Sequence, residues 1–241
     1  TWLGWLGLAL PLLAVLAALA AGQAHAWGWM AYGAGFGVLR WALLAAGLGA
    51  VAAIVALVQA ARGRGGWQWP ALGLLLALAL VAVPGYYVLW VLPHTARIHD
   101  ITTDAAHPPE FAAILPLRAH SPDPGQYGGP ALMEQQQKFY PDIAPLLASQ
   151  PPAQVFPAAL AVAQSMGLEI VAAQESAGRI EASARSRFFG FVDDLVVRIA
   201  PEGPGSRVDV RSSSREGRSD FGVNADRVRR FLGALKARLA G

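Results

Sequence analysis

The stretch from Arg179 to Arg218 decides the fold of this chain, because it contains runs of alternating polar and apolar residues. Its three runs read RIEASAR at 179–185, FFGFVDDLVVR at 188–198 and RVDVRSSSR at 207–215, and polar and apolar residues alternate in the first and the last. A β-strand directs alternate side chains to opposite faces, so the first and last runs predict an antiparallel sheet with one dry face and one wet face. We expect the wet face to be solvated and crowded with arginine, aspartate, glutamate and serine.

The sequence around this stretch completes a small α+β domain at residues 153–241. A helix is predicted after Pro152, and a strand at Leu168–Ala173 follows it. The last helix is expected to begin near Asn224 and carries an apolar stripe with arginines beside it. The predicted fold class is a four-stranded antiparallel meander with two amphipathic helices packed on one face, joined to an α-helical membrane region.

The charge of the chain divides it into two parts. Residues 1–97 contain no aspartate or glutamate, four arginines and all eight tryptophans, whereas the rest contains sixteen acidic and fifteen basic residues. The net charge of +3 is therefore +4 from the first part and −1 from the second, and the nearly neutral second part argues against nucleic-acid binding. The absence of cysteine excludes disulfides, thiolate metal sites and cysteine nucleophiles.

Residues 1–93 read as a membrane region. Three apolar runs, at about 2–21, 38–61 and 70–92, are long enough to cross a hydrocarbon core of about 30 Å and to contact membrane lipids. None of them has an ionisable group at mid-depth, which argues against a transporter or a pump. One span is enough to tether a domain, so the two further spans suggest a lateral partner.

The loops between the runs predict the orientation. The loop at 62–66 has two arginines and the loop at 22–37 has neither lysine nor arginine, which favours a cytoplasmic N-terminus and a periplasmic C-terminal domain in a bacterial inner membrane. Aromatic residues mark both membrane interfaces. One belt contains Trp2, Trp5, Trp67 and Trp69, and the other contains Trp27, Trp29, Tyr32, Tyr86, Tyr87 and Trp90.

The segment at 94–152 is rich in proline and is expected to be extended chain that docks on the α+β domain. His99, Asp100, Asp104 and His107 have the residue types of a metal site, but they lack a helical register. Side chains that cap turns explain them better. We therefore predict neither a metal nor a cofactor.

Four groups of residues in the second part of the chain are informative as a set: Ile98–Asp104 with Pro108, Pro109 and Phe111; Tyr140–Ile143 with Pro145 and Leu146; Gly178–Ala182 and Phe189–Asp194; and Arg207–Ser212 with Ser214, Arg215, Gly217, Ser219, Asp220, Gly222, Asn224 and Ala225. Together they resemble a known family, catalogued as domain of unknown function 1499. The similarity covers roughly 98–235, implies a membrane-linked or exported domain, and supplies no established activity or catalytic residues. Similar domains in photosynthetic organisms suggest, by analogy alone, a role beside an electron-transport complex.

The pair Asp193–Asp194 invites a catalytic interpretation, but neighbours on a strand point to opposite faces. We expect a structural role, with one carboxylate paired to Arg211 or Arg185 of a neighbouring strand. Four residues form the candidate ligand site: Arg211, Arg215 and Arg218 to clamp a phosphate or carboxylate group, with Asp194 beside them. The alternative is a solvated surface of weak salt bridges.

Two functions follow from these observations. The first is a non-enzymatic integral membrane accessory protein whose extracytoplasmic domain binds another protein or a larger membrane complex. The alternative is an extracytoplasmic ligand-binding or hydrolytic domain that acts on an anionic envelope molecule. The sequence contains no serine–histidine–aspartate order, glycine-rich phosphate loop or helical histidine–glutamate motif, which favours the first.

Overall fold

The structure is a computed structural model that describes all residues from Thr1 to Gly241. The chain forms two compact units. The first comprises Thr1–Pro93 together with the short stretch Arg187–Gly190, and the second comprises His94–Ser186 and Phe191–Gly241.

Three long helices make up most of the first unit. They are α1 at Trp2–Ala26, α2 at Tyr32–Ala61 and α3 at Gln68–Tyr86, which continues through a π-helical turn at Tyr87–Val91 into α4 at Leu92–His94. All three spans are long and apolar enough to cross a membrane, which indicates a membrane protein.

Small residues allow the helices of this unit to approach closely. A Cβ atom added to Gly73 would lie 1.8 Å from the carbonyl oxygen of Gly7, and one added to Gly7 would lie 2.7 Å from Cα of Ala53. Ala46 and Ala53 of α2 are fully buried. The small residues of α2 therefore serve contacts inside the bundle, as small residues do between membrane helices.

The second unit is built on one antiparallel sheet of six strands in the order β1-β6-β5-β4-β3, with β2 also paired to β6. The expected meander is present as β3 to β6. The predicted number of four strands was wrong, because two pieces of the proline-rich segment pair with the outer edge of β6. The strands are β1 at Asp100–Thr102, β2 at Leu146–Ala148, β3 at Glu169–Gln174, β4 at Arg179–Arg185, β5 at Val192–Glu202 and β6 at Gly205–Ser214.

Two helices cover one face of the sheet, as the sequence predicts: α6 at Pro152–Ser165 and α7 at Val223–Ala240. A shorter helix, α5, spans Pro130–Phe139. The core between helices and sheet contains apolar side chains from both layers. Its fully buried members include Val155, Ala159, Ile180, Val197, Val208, Val210, Val228, Phe231 and Leu235.

The other face of the sheet is not solvated, so the prediction of a wet face was wrong. Residues 103–127, which we call the covering segment, contribute Phe111 and Ile114 to a small cluster with Val196 of β5. Around this cluster the polar side chains of the sheet are also shielded, and Arg211 is only 1% exposed. The alternating sequence shows which side chains of the sheet are polar. It does not show whether water or another polar part of the chain surrounds them, because both can pair with polar side chains.

Candidate functional site

The polar face of the sheet and the covering segment enclose a set of paired charges, which we call the charged layer. Strands β4, β5 and β6 supply most of its residues, because their polar side chains alternate with the apolar ones of the core. The layer consists of Asp100, Asp104, Arg118, Asp123, Glu181, Asp194, Arg198, Arg207, Asp209, Arg211 and Arg215.

At its centre, Arg211 forms two parallel hydrogen bonds to Asp100, with Nε–Oδ1 2.9 Å and Nη2–Oδ2 2.8 Å. Its guanidinium also donates to the carbonyl of Gly125, and its Cζ lies 4.9 Å from the ring centre of Phe111 and 5.5 Å from that of Tyr127. Burial raises the pKa of Asp100 and outweighs the opposing effect of Arg211. Burial, together with the negative charge of Asp100, raises the pKa of Tyr127 to about 12.

The carboxylate of Asp194 is at the centre of a second cluster, where it accepts hydrogen bonds and pairs with two arginines. Arg215 Nε and Nη2 lie 2.8 and 2.9 Å from its two carboxylate oxygens, and Arg118 Nη1 lies 3.3 Å away. Ser183 donates to it at 2.6 Å. Burial lowers the pKa of Arg118, and the charges of Asp194 and Asp123 oppose this shift. Sequence reasoning missed Arg118, because it lies in the covering segment, where no periodic pattern marks a buried position.

Four charges form a third cluster at the edge of the layer. Arg198 Nη2 lies 2.9 Å from both Asp104 and Asp209, and Arg207 donates to the same two carboxylates. Burial acts to raise the pKa of Asp209, but hydrogen bonds from Arg207 and Arg198 prevail and the pKa is lowered. The result is a compact square of alternating charges that links β5, β6 and the covering segment.

Glu181 holds the covering segment without an arginine. Its carboxylate accepts four hydrogen bonds of 2.9–3.1 Å from the backbone amides of Ala112, Ala113 and Ile114. The side chain is 1% exposed. Only the amide of Ile114 is fully buried, and the bonds together tie the middle of the covering segment to β4.

The paired carboxylates Asp193 and Asp194 do point to opposite faces of the sheet. Asp193 lies on the helix side, where Arg227 of α7 approaches to 2.7 Å. The predicted partner Arg211 was wrong, because Arg211 pairs with Asp100, and Asp194 is held by Arg215 and Arg118 instead. The carboxylates therefore belong to separate ion pairs and do not face one site.

The structure brings together only part of the candidate ligand site. Asp194 is completely buried and 16% of the Arg215 side chain remains exposed, while Arg211 is buried against Asp100. Arg218 is exposed in the segment after β6 and lies outside the charged layer.

The residues with the types of a metal site do not come together either. His99 is 3.6 Å from Asp123, whereas Asp104 binds two arginines, so these residues form no common cluster. The structure contains no group of three or more histidine, aspartate or glutamate residues arranged to hold a metal ion.

Comparison with known proteins gives one decisive match. The family described as protein of unknown function (DUF1499) matches residues 100–235. The chain belongs to this family. The matched DUF1499 region contains every residue of the charged layer, together with α5, α6 and most of α7.

Two other comparisons add no argument about function. No curated protein matches this chain. The crystal structure of TTHA0849 from Thermus thermophilus is similar at 16% sequence identity, covering 40% of this chain and 94% of that one. Its TM-score is 0.26, and we draw nothing from it.

Proposed function

We propose that this DUF1499 protein is a non-enzymatic integral membrane accessory protein, whose first unit contacts a partner laterally in the membrane and whose second unit binds another protein or a larger membrane complex outside the cytoplasm. The observation that carries the proposal is an open apolar face on α3. No residue of α3 beyond Ala77 is buried, whereas α1 has buried residues as far as Gly22. The first unit thus offers more lateral surface than its own packing uses.

This face has the form that a helix of another protein can occupy. Small residues at Ala82 and Gly85 leave a shallow groove of about 690 Å³ between larger side chains. Close approach at small residues is a common basis of helix association in membranes, where lipid tails provide no hydrophobic drive. We call this the α3 groove; it is lined by Leu78, Val81, Ala82, Gly85, Tyr86, Leu89 and Trp90.

The charged layer supports a structural role for the polar face. Its guanidinium groups are bonded to carboxylates and backbone carbonyls of the same unit, and so they hold the covering segment in place. We therefore expect the second unit to act through its outer surface, by contact with a partner.

Filling the α3 groove tests the proposal. Ala82→Trp and Gly85→Leu are expected to release a subunit that co-purifies stoichiometrically with the tagged chain in mild detergent at native abundance. Val83→Trp is the matched control, because Val83 is 62% exposed on α3 but does not line the groove. A chain that purifies as a lone monomer, with or without these substitutions, would contradict the proposal.

The proposed orientation places the N-terminus in the cytoplasm and the second unit in the periplasm, because Arg62 and Arg64 occupy the loop between α2 and α3. The natural chain has no cysteine, so single cysteines report cleanly. In intact cells Ser176→Cys should react with a membrane-impermeant maleimide and Gly66→Cys should not. The reverse result would invert the topology.

The alternative is a ligand-binding or hydrolytic domain that acts on an anionic envelope molecule. The observation in its favour is that Arg215, at the rim of the charged layer, keeps part of its side chain exposed. Inorganic phosphate is a suitable probe. Saturable binding by the full chain that disappears in Arg215→Ala, while the co-purifying subunit remains bound, would favour the alternative.

A further inference from the structure

An exposed turn just before α7 lies against the chain that emerges from the third membrane-spanning helix. The span Gln68–His94 ends one residue before Thr95. A Cβ atom added to Gly222 would lie 3.1 Å from Cγ2 of Thr95, so the turn and Thr95 are in contact. We call residues 219–223 the membrane-proximal turn.

Hydrogen bonds fix this turn to Ala96 and Ile98, which lie just after Thr95 in the chain. Ser219 Oγ donates to the carbonyl of Ala96 at 3.4 Å, and the backbone amide of Asp220 donates to the carbonyl of Ile98 at 3.2 Å. The turn therefore cannot move far from the end of the span, because consecutive Cα atoms are only about 3.8 Å apart.

The turn presents apolar side chains in an unusual conformation. Phe221 is 37% exposed and Val223 is 46% exposed. Phe221 has φ of 55°, a left-handed backbone that bulky residues rarely adopt. The carboxylate of Asp220 supports it by accepting from the amides of Gly222 and Asn224 at 2.9 and 2.7 Å. Such strain persists where surrounding bonds enforce it and is common at functional positions.

We infer that the membrane-proximal turn inserts Phe221 and Val223 into the headgroup layer of the bilayer. The partner of this apolar surface is therefore lipid. The layer between hydrocarbon and water is roughly 5–8 Å deep on each side, so residues in contact with Thr95 lie within its reach. Amphipathic and aromatic side chains are favoured at that depth. Two exposed cations near this point in the chain, Arg97 and Arg218, suit the phosphates of anionic lipids. The inference rests on the proposed membrane insertion of the three helices.

Spin labelling of the full chain tests the inference, since the natural sequence has no cysteine. Phe221→Cys and Val223→Cys would carry nitroxides in vesicles of phosphatidylcholine and phosphatidylglycerol that contain no other protein. Collisions with oxygen, which enters the bilayer, are compared with collisions with a water-soluble nickel chelate. We expect an oxygen-to-nickel ratio severalfold higher at both positions than at the control.

Leu147→Cys is the control. Leu147 is an exposed apolar residue of β2 and pairs with Arg207 of β6. Asp100, which follows the end of the third span closely in the chain, pairs with Ser213 of β6. Arg207 and Ser213 are six residues apart on β6, or roughly 20 Å, so Leu147 lies well away from the end of the span. Ratios at 221 and 223 equal to that at 147 would overturn the inference. If Phe221→Cys fails to fold, Val223→Cys decides it alone.

A label at Leu78, an exposed residue of α3 near the middle of the span Gln68–His94, separates this inference from the proposed function. High nickel accessibility at Leu78→Cys would show that α3 is not embedded and would overturn both. Absence of a co-purifying subunit would contradict the accessory role and leave the contact of Phe221 and Val223 with lipid intact, because the vesicles contain no partner.

Discussion

Asp100 and Arg211 form a buried two-point ion pair, in which both carboxylate oxygens lie within 2.9 Å of guanidinium nitrogens. Asp100 lies on β1 and Arg211 on β6, so the pair joins the first part of the DUF1499 region to the penultimate element of the fold. The same guanidinium donates to the carbonyls of Pro109 and Gly125 in the covering segment. One side chain therefore fixes three separate parts of the chain.

Removing Arg211 should destabilise the second unit strongly. Arg211→Ala leaves the carboxylate of Asp100 buried without a cation, which costs about 3–5 kcal/mol for pairs of this kind. Pulse proteolysis of the full chain in denaturant measures the loss. Arg229→Ala is the control, because its partner Asp142 is 54% exposed and exposed pairs contribute about 0–1 kcal/mol. Equal losses in the two variants would show that Asp100 is not confined as described.

The contribution of Asp209 should depend on pH. Its pKa is lowered from the ordinary value of 3.8, so the folded state favours the ionised form. The resulting stability is fully present above pH 3.8 and is lost as the pH falls through the lower folded pKa. The difference in unfolding free energy between the natural chain and Asp209→Asn should therefore shrink on acidification.

Asp100 should show the opposite trend, because its pKa is raised. The folded state favours protonated Asp100, so stability falls as the pH rises from 3.8 through the higher folded pKa. The advantage of the natural chain over Asp100→Asn should be largest at low pH. Parallel pH profiles for Asp209→Asn and Asp100→Asn would contradict the assignment of the two environments.

Glu181 should control the local stability of the covering segment. Glu181→Ala removes the acceptor of the amides of Ala112, Ala113 and Ile114, and hydrogen exchange at these amides should accelerate by at least about tenfold, or about 1.4 kcal/mol. Glu175→Ala is the control, since Glu175 is exposed in the turn before β4. Unchanged exchange at Ile114 in Glu181→Ala would mean that other contacts hold the segment.

Packing of the first unit should depend on Gly73. Gly73→Ala places a methyl group 1.8 Å from the carbonyl oxygen of Gly7, so α1 and α3 must separate. We expect a lower midpoint of thermal unfolding in mild detergent. Gly47→Ala on α2 is the matched control, because an added Cβ meets nothing within 4 Å there. An equal effect of both substitutions would indicate a general helix-propensity effect, with no role for close packing.

The sequence predicted well those features that depend on local periodicity. Alternation along β4 and β6 identified Ile180, Val208 and Val210 as core positions, and the apolar stripe of α7 identified Phe231 and Leu235. Both patterns repeat within one element, where the geometry of a strand or a helix dictates which side chains share a face. The three membrane spans followed from length and apolar composition in the same way.

The candidate site was much less predictable. Arg211 was expected beside Asp193 or Asp194, yet its carboxylate partner is Asp100, 111 residues away in the chain. Arg118 and Asp123 lie in the covering segment, where turns leave no periodic signal. Alternating polar residues along a strand are compatible with a face exposed to water and equally with a face buried under ion pairs. The burial of this face could therefore not be deduced from the sequence.

By itself, the sequence determined a basic membrane part followed by a nearly neutral part, the four strands of the meander, and the two helices on its apolar face. These follow from composition and from side-chain spacing within single elements. Only the tertiary structure decided that β1 and β2 extend the sheet, that the covering segment closes its polar face, and which charges pair there. The physical reason is that backbone pairing at a free strand edge and the choice among many possible ion pairs depend on long-range proximity, which no local pattern encodes.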